Sequence, residues 1–392
     1  MRFRNELSIS FVLVLSIFSI VILDILNQLS YYFLQARYFS AVINVFSWIL
    51  LIVAVYCVVK KPGKFVVLIV FITLTAVKFA FYALVFNQFQ FQKGILLLPL
   101  LMAVFFYDDN VRALASNIGN KYRYLLLVLF LLTMIPFLDL WRYYAYNYRF
   151  SAIWSLPQSI AYYFVALMFL LGKTNLFVNT ILFFFVAITG ARSGIIPASV
   201  YLFYVFISNV KANISIVRRV TVGTVFGLAL LCVFFLAPSF RFLREGLGYN
   251  LRPIFEERIT NPGYGKGRVG LNVQILGELK NFNVVEVLIG RSASSMYDFY
   301  SSAVGTRTWP HNDFATALYV YGIVGLLIYV YYLFILPLTM IPKKKLMRMV
   351  ILEAVVFIFA FTNGFYTYFA SFLFIVIYGM VYEDSRRTCS NI

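Results

Sequence analysis

A chain of 392 residues that is 62% hydrophobic and only 12% charged lies outside the range of soluble domains, which run at roughly 45–50% apolar and about 25% charged. This excludes a soluble enzyme and leaves no room for a second, soluble domain. The net charge of +18 does not mark a nucleic-acid surface either, because no basic-aromatic soluble module carries it.

In chain order, MRFRN opens an apolar run with no small-residue cleavage site behind it, so the first span is expected to stay uncleaved. A span needs about 20 apolar residues. Candidate spans fall near 8–27, 38–59, 65–86, 94–107, 122–140, 157–172, 175–189, 194–210, 219–238, 314–341, 350–363 and 365–382. The expected fold is an all-α polytopic membrane protein of about 12 transmembrane helices in a single membrane domain. Cys57, Cys232 and Cys389 show neither a disulfide nor a metal spacing.

The basic residues order these spans. An even number puts both termini on one side. With Arg2 and Arg4 inside, so are Lys60, Lys61 and Lys64, then Arg112, Lys121 and Arg123, then Lys211, Arg218 and Arg219, then Lys343, Lys344, Lys345 and Arg348, and finally Arg386 and Arg387. That is the positive-inside pattern. It places both termini in the cytoplasm and the longest hydrophilic stretch, 239–313, outside. Val269, Val273, Leu276 and Leu279 recur there at helical spacing and predict an amphipathic helix over about 268–281. PSFRFLREGLGYNLRPIFEERI predicts further helices on the membrane surface.

His311 is the single histidine, and it sits in WPHNDF just before an apolar run. An imidazole titrates near neutral pH and can take a proton from a hydroxyl. Pro310 restricts the backbone before it, and Asn312 offers an amide to orient the ring. Gly322 and Gly325, on the helix that follows, predict a close approach by another helix. Arg192, in ITGARSGIIPAS, lies between two apolar runs, where an ionisable group is costly and usually functional. Its planar fork suits a phosphate. GYGKGRVG, residues 263–270, matches a dinucleotide fingerprint in letters only, since no βαβ unit surrounds it. Its glycines, with Lys266 and Arg268 at a helix start, suit an anion. Arg252, Arg291 and Arg307 are supporting candidates for substrate binding. The aromatic run from Trp141 to Trp154 reads as an interfacial belt or as a sugar-stacking platform. No histidine or cysteine cluster and no acidic outer loop suggests a metal, and no cofactor is expected.

His311 and Asn312, followed after nine residues by Gly322 and then Gly325, resemble the signature of the O-antigen ligase and polymerase superfamily of bacterial envelope glycosyltransferases. The layout of one large outer loop ending just before that signature is similar, and Arg192 and Arg268 stand where the family carries arginines. The likeness covers roughly 180–340. It implies a metal-independent glycosyltransferase of the inner membrane, acting in lipopolysaccharide biosynthesis on glycans carried by undecaprenyl diphosphate. It further implies His311, Arg192 and Arg268 as catalytic residues, with Asn312, Lys266, Arg252, Arg291 and Arg307 at the substrate. An O-antigen polymerase is the favoured member, with a chain-length regulator as an expected protein partner. A ligase acting on lipid A-core, or a lipid-linked oligosaccharide flippase, are the alternatives.

Overall fold

The computed structural model describes residues 2–34, 36–86, 92–133, 157–172, 176–189, 191–209, 266–304, 310–342 and 346–390. Among these the chain is helical throughout, with no strand. In order the helices are α1 (Arg2–Leu34), α2 (Ser40–Val59), α3 (Pro62–Phe86), α4 (Lys93–Tyr107), α5 (Asp109–Leu132), α6 (Pro157–Leu171), α7 (Leu176–Ile188), α8 (Arg192–Asn209), α9 (Lys266–Glu278), α10 (Val284–Ile289), α11 (Ala293–Val304), α12 (Asp313–Val330), α13 (Leu336–Met340), α14 (Leu346–Thr362) and α15 (Ala370–Ser390). A π-helical turn, Tyr331–Ile335, joins α12 to α13.

Four stretches are long and apolar enough to cross a membrane: Ile9–Tyr31, Ser40–Val59, Pro62–Phe86 and Asp313–Met340. The bent pair α4 and α5, 99° apart, makes a fifth if it counts as one span. The remaining expected spans also fall on helices within the described residues, α6, α7 and α8 being shorter apolar ones. The exception is 219–238, which lies outside the described residues, as do the surface helices expected over 238–259 and the aromatic run 141–154.

Two of the shorter helices are interior. Ile95 to Phe106 of α4 are buried on every side, as are Ile160 to Leu171 of α6. An all-round apolar helix of this kind belongs in a core. Helix α3 faces outward instead. Only 22% of the apolar window of α3 is buried, and Val66, Val67, Val70, Val77 and Leu84 point away from the protein.

Helix α5 differs from the expected 122–140. It begins at Asp109, because Asp108 caps it by accepting from the amides of Asn110 (3.1 Å) and Val111 (3.2 Å). Its polar first half packs along α15, with Gly119 against Met380 and Val376. At this end of the bundle the basic connections meet acids. Lys61 pairs with Asp108 at 2.9 Å and Arg348 with Asp384 at 3.1 Å. The buried Arg112 pairs with Asp109, lies 3.9 Å from Glu383 and stacks on Tyr382.

Candidate functional site

His311 lies at the opposite end of the bundle. It is the one non-glycine residue with positive φ among the described residues, at +54°. A histidine tolerates this left-handed conformation better than most residues do. It still costs of order 1–3 kcal/mol and persists only where the surroundings impose it. Those surroundings are the next two residues. Asn312 is the N-cap of α12. Its side chain accepts from the Ala315 amide at 3.1 Å, and its carbonyl accepts from the Thr316 hydroxyl at 2.8 Å. Asp313 is fully buried. Its carboxylate accepts from the amides of Phe365 (3.0 and 2.9 Å) and Tyr366 (3.2 Å), and from the Tyr329 phenol. The mouth of α12 is thereby fastened to the turn between α14 and α15. The imidazole, half-buried beside these anchors, is carried on a fixed backbone.

The same turn reaches α8. Asn363 donates to the Tyr368 phenol, and the Tyr368 ring sits 4.7 Å from that of Tyr162 on α6. The Tyr162 phenol lies beside the Ser193 hydroxyl and the Asn363 amide, within electrostatic reach of Asp313. Ser193 immediately follows Arg192, the first residue of α8. A line of buried polar groups therefore runs from the start of α8 to the start of α12. Local chemistry sets the α8 end. The Thr189 hydroxyl accepts from the Ala191 amide at 3.1 Å. Gly194 lets α8 close on α6, where a Cβ would stand 2.6 Å from that of Ala161.

The loop between α8 and α12 is tied down by an unexpected residue. Lys78, a charge in the middle of the apolar α3, is buried. It donates to the carbonyls of Ile289 (2.9 Å), Arg291 (3.4 Å) and Val320, with its ammonium 4.8 Å from the Tyr321 ring. Helix α12 is broken at Gly322, where φ is +67°. A break there deprives the carbonyls of Tyr319 and Val320 of their partners one turn on. The Arg291 amide takes the first at 2.8 Å and Lys78 takes the second. Gly322 and Gly290 make this crossing possible. A Cβ on Gly322 would lie 2.4 Å from the Leu288 carbonyl carbon, and one on Gly290 would lie 2.4 Å from that of Val320. The close approach expected at Gly322 is thus made by the loop segment around α10. At Gly325 the neighbour is Phe71 of α3, 3.4 Å from the position of a Cβ.

The other expected site residues fare differently. Lys266 opens α9 and Arg268 lies in its first turn, so GYGKGRVG does lead into a helix; their side chains are outside the described residues, like that of Arg192. Arg252 and Arg307 are outside them altogether. Arg291 is engaged within the protein. It bonds Glu286 through Nε (2.9 Å) and Nη2 (3.2 Å), Glu278 through Nη1 (2.8 Å) and the Asn281 carbonyl through Nη2 (3.0 Å). It also covers the Phe282 ring at 4.2 Å. Each of its nitrogens is engaged, and it staples α9 to α10. The helix expected over about 268–281 is α9, but its apolar stripe is not its inner face. Ile275 is buried, whereas Val273 and Leu276 are 60% and 58% exposed, because packing against α12 rather than periodicity selects the inner face.

Three residues were passed over in the sequence. Asp24 and Lys78 each stand as a lone charge in an apolar run, which is itself the signal of an intramembrane polar site. Asp313 is an acid set directly before an apolar run. No family model and no curated protein matches this chain.

Proposed function

We propose that the chain is a metal-independent glycosyltransferase of the bacterial inner membrane. It is read as an O-antigen polymerase joining undecaprenyl-diphosphate-linked repeat units on the periplasmic face. The observation that carries this reading is His311, the only imidazole, set on a left-handed backbone at the mouth of α12. Asn312 and Asp313 anchor it there, and buried polar groups link it to the helix start that bears Arg192. On this reading the twelve apolar stretches all cross the membrane. The end gathering Lys61, Arg112 and Arg348 is cytoplasmic, with both termini, and 239–313 is periplasmic.

His311 takes the proton of the acceptor hydroxyl as that oxygen forms a bond to the anomeric carbon of the donor. The bond from that carbon to the diphosphate breaks, and undecaprenyl diphosphate leaves with the electron pair. Arg192 and Arg268, each in the first turn of a helix whose dipole adds positive potential, stabilise the charge that grows on it.

The test is transfer between synthetic lipid-linked repeats by the purified protein. His311→Gln keeps a hydrogen bond but cannot accept the proton, and should lose about a hundred- to ten-thousand-fold in rate. His311→Gly should lose as much while melting no lower than the parent, because glycine accepts this backbone freely. A His311→Gln protein within a few-fold of the parent rate would end the base role. In cells, deletion should leave single repeats on lipid A-core; long chains stranded on undecaprenyl diphosphate would mean a ligase instead.

A further inference from the structure

The turn between α14 and α15 has a second side. Its first side anchors Asp313. On the other, a cavity of about 140 Å³ opens among Asp24 and Gln28 of α1, Ser159 and Tyr163 of α6, and residues 367–369 of the turn. Cavities of about 150 Å³ hold a benzene-sized ring. This is room for one ring, and more than a bare ion needs.

The lining narrows the ligand class. Asp24 is 4% exposed. One of its oxygens accepts from the Gln28 amide at 3.3 Å and the other from the Tyr163 phenol at 2.7 Å. A carboxylate offers about four acceptor sites, so part of its capacity remains for a donor in the cavity. Ser159 and Thr367 add hydroxyls that both donate and accept. Tyr368 and Phe369 add aromatic rings. Among the described residues no lysine or arginine lines the cavity, with Arg37 only within electrostatic reach of Asp24, which disfavours a phosphate, and a buried carboxylate disfavours a lipid tail. Vicinal hydroxyls with an apolar ring face are the complement of this set.

The cavity is also mechanically continuous with the His311 end. Thr367 donates to the Gly364 carbonyl at 3.1 Å, and Asn363 donates to Tyr368. The amides that hold Asp313 belong to the two residues between, Phe365 and Tyr366.

We infer that the Asp24 cavity is a binding site for a neutral saccharide, held by hydrogen bonds from its hydroxyls to Asp24 and by contact with Tyr368 and Phe369. Identifying that saccharide as a ring of the lipid-linked glycan rests on the proposed function. The cavity's chemistry does not depend on it.

The experiment uses the full-length protein in polymer nanodiscs formed without maltoside detergent, whose headgroup would compete. The probes are diazirine-bearing methyl hexosides and methyl N-acetylhexosaminides, with adducts mapped by peptide mass spectrometry. Adducts are expected on peptides spanning 159–163 and 367–369, suppressed by excess plain glycoside. They should fall at least tenfold in Asp24→Asn, which keeps an acceptor for Tyr163, and in Ser159→Trp, which fills the cavity and leaves the carboxylate in place. Adducts absent from these peptides in the parent protein, or unchanged in both variants, would overturn the inference. So would stabilisation by sodium without glycoside adducts, which would make this a cation site. Labelling needs no turnover. A parent protein that transfers normally yet gives no adducts on these peptides sinks this site alone, whereas an active His311→Gln protein sinks the mechanism and leaves the site standing.

Discussion

At the basic rim of the bundle, charge meets charge: Lys61 holds Asp108 and Arg348 holds Asp384, while the buried Arg112 adds the main-chain carbonyls of Phe105 and Phe106 to its pairing with Asp109. Towards the other end, the buried Lys78 and Asp313 meet main chain instead. Lys78 takes three carbonyls and Asp313 takes two amides and a phenol. The first arrangement is found at a wet rim, where either partner can return to water when the pair is broken. The second is found where a helix break or a tight turn has stripped backbone groups of their partners and water cannot replace them. A charge at the rim is thus one of several interchangeable contacts. A charge in the interior is the completion of a backbone that could not otherwise be irregular at that depth.

The contrast is easiest to break at Asp313. Asp313→Ala abandons two buried amides and a buried phenol, each worth about 1–3 kcal/mol when left unsatisfied. We expect little folded protein by detergent size-exclusion, with partial recovery in Asp313→Asn. Near-normal yield of the alanine variant would show the turn to be held by something else. Lys78→Met comes next. It deprives three carbonyls of one donor, and a loss of roughly 2–4 kcal/mol should appear as faster hydrogen exchange confined to 284–292 and 319–322. Uniform destabilisation would mean that Lys78 acts through general packing. Lys61→Ala should cost only about 0–1 kcal/mol, measurable as a melting shift of a degree or two at most. A larger drop would remove the distinction between rim and interior.

The smallest expected effect is a pH effect within the loop. The hydrogen bond from Arg291, opposed by partial burial and helped by the Asn283 amide, holds the Glu286 carboxyl below its ordinary value of 4.5. A depressed carboxylate stabilises the fold fully above its unfolded value and loses that contribution as pH falls through the folded one. Protection of the α10 amides should therefore be flat from neutrality to about pH 5 and decline only in more acid solution. Loss beginning at pH 6 would point to a different titrating group.

Much of this was legible in the sequence, for reasons that also explain what was not. The apolar runs of α1, α2, α3 and α12 read directly as helices. Asn312 ahead of DFATAL is a capping residue in plain sight, and Asn283 with Glu286 has the spacing of a reciprocal cap, which the structure closes. Gly322 announced a close crossing. Its partner, the Leu288–Ile289 backbone, was not readable, because nothing local encodes which distant segment arrives. The start of α5 was hidden by ALASNIGNKYR, whose polarity suits a helix running along α15 rather than through lipid. Val273 and Leu276 kept their helical period and still faced outward, since periodicity fixes a stripe and tertiary contact decides which way it turns. Lys78 and Asp313 were visible as letters, but their partners are main-chain groups, which carry no letters, and Asp24 is held by the side chains of Gln28 and the distant Tyr163.

Helix α4 has a consequence for how the protein is made. Its neighbours come from both ends of the chain: α2 is synthesised before it, whereas Gly379, which Phe105 abuts, and Tyr366, against which Gly94 rests, come some 270 residues later. Until α15 leaves the ribosome, the face of α4 that meets Gly379 lacks its partner. A polar residue on that face would be stranded for the length of that wait. The run of α4 from Ile95 to Phe106, apolar throughout with Pro99 and Ala103 within it, lets it reside in hydrocarbon first and in protein afterwards. Biogenesis therefore ends with the C-terminal helix closing a ring around a helix inserted long before, and chains truncated ahead of residue 370 should remain open.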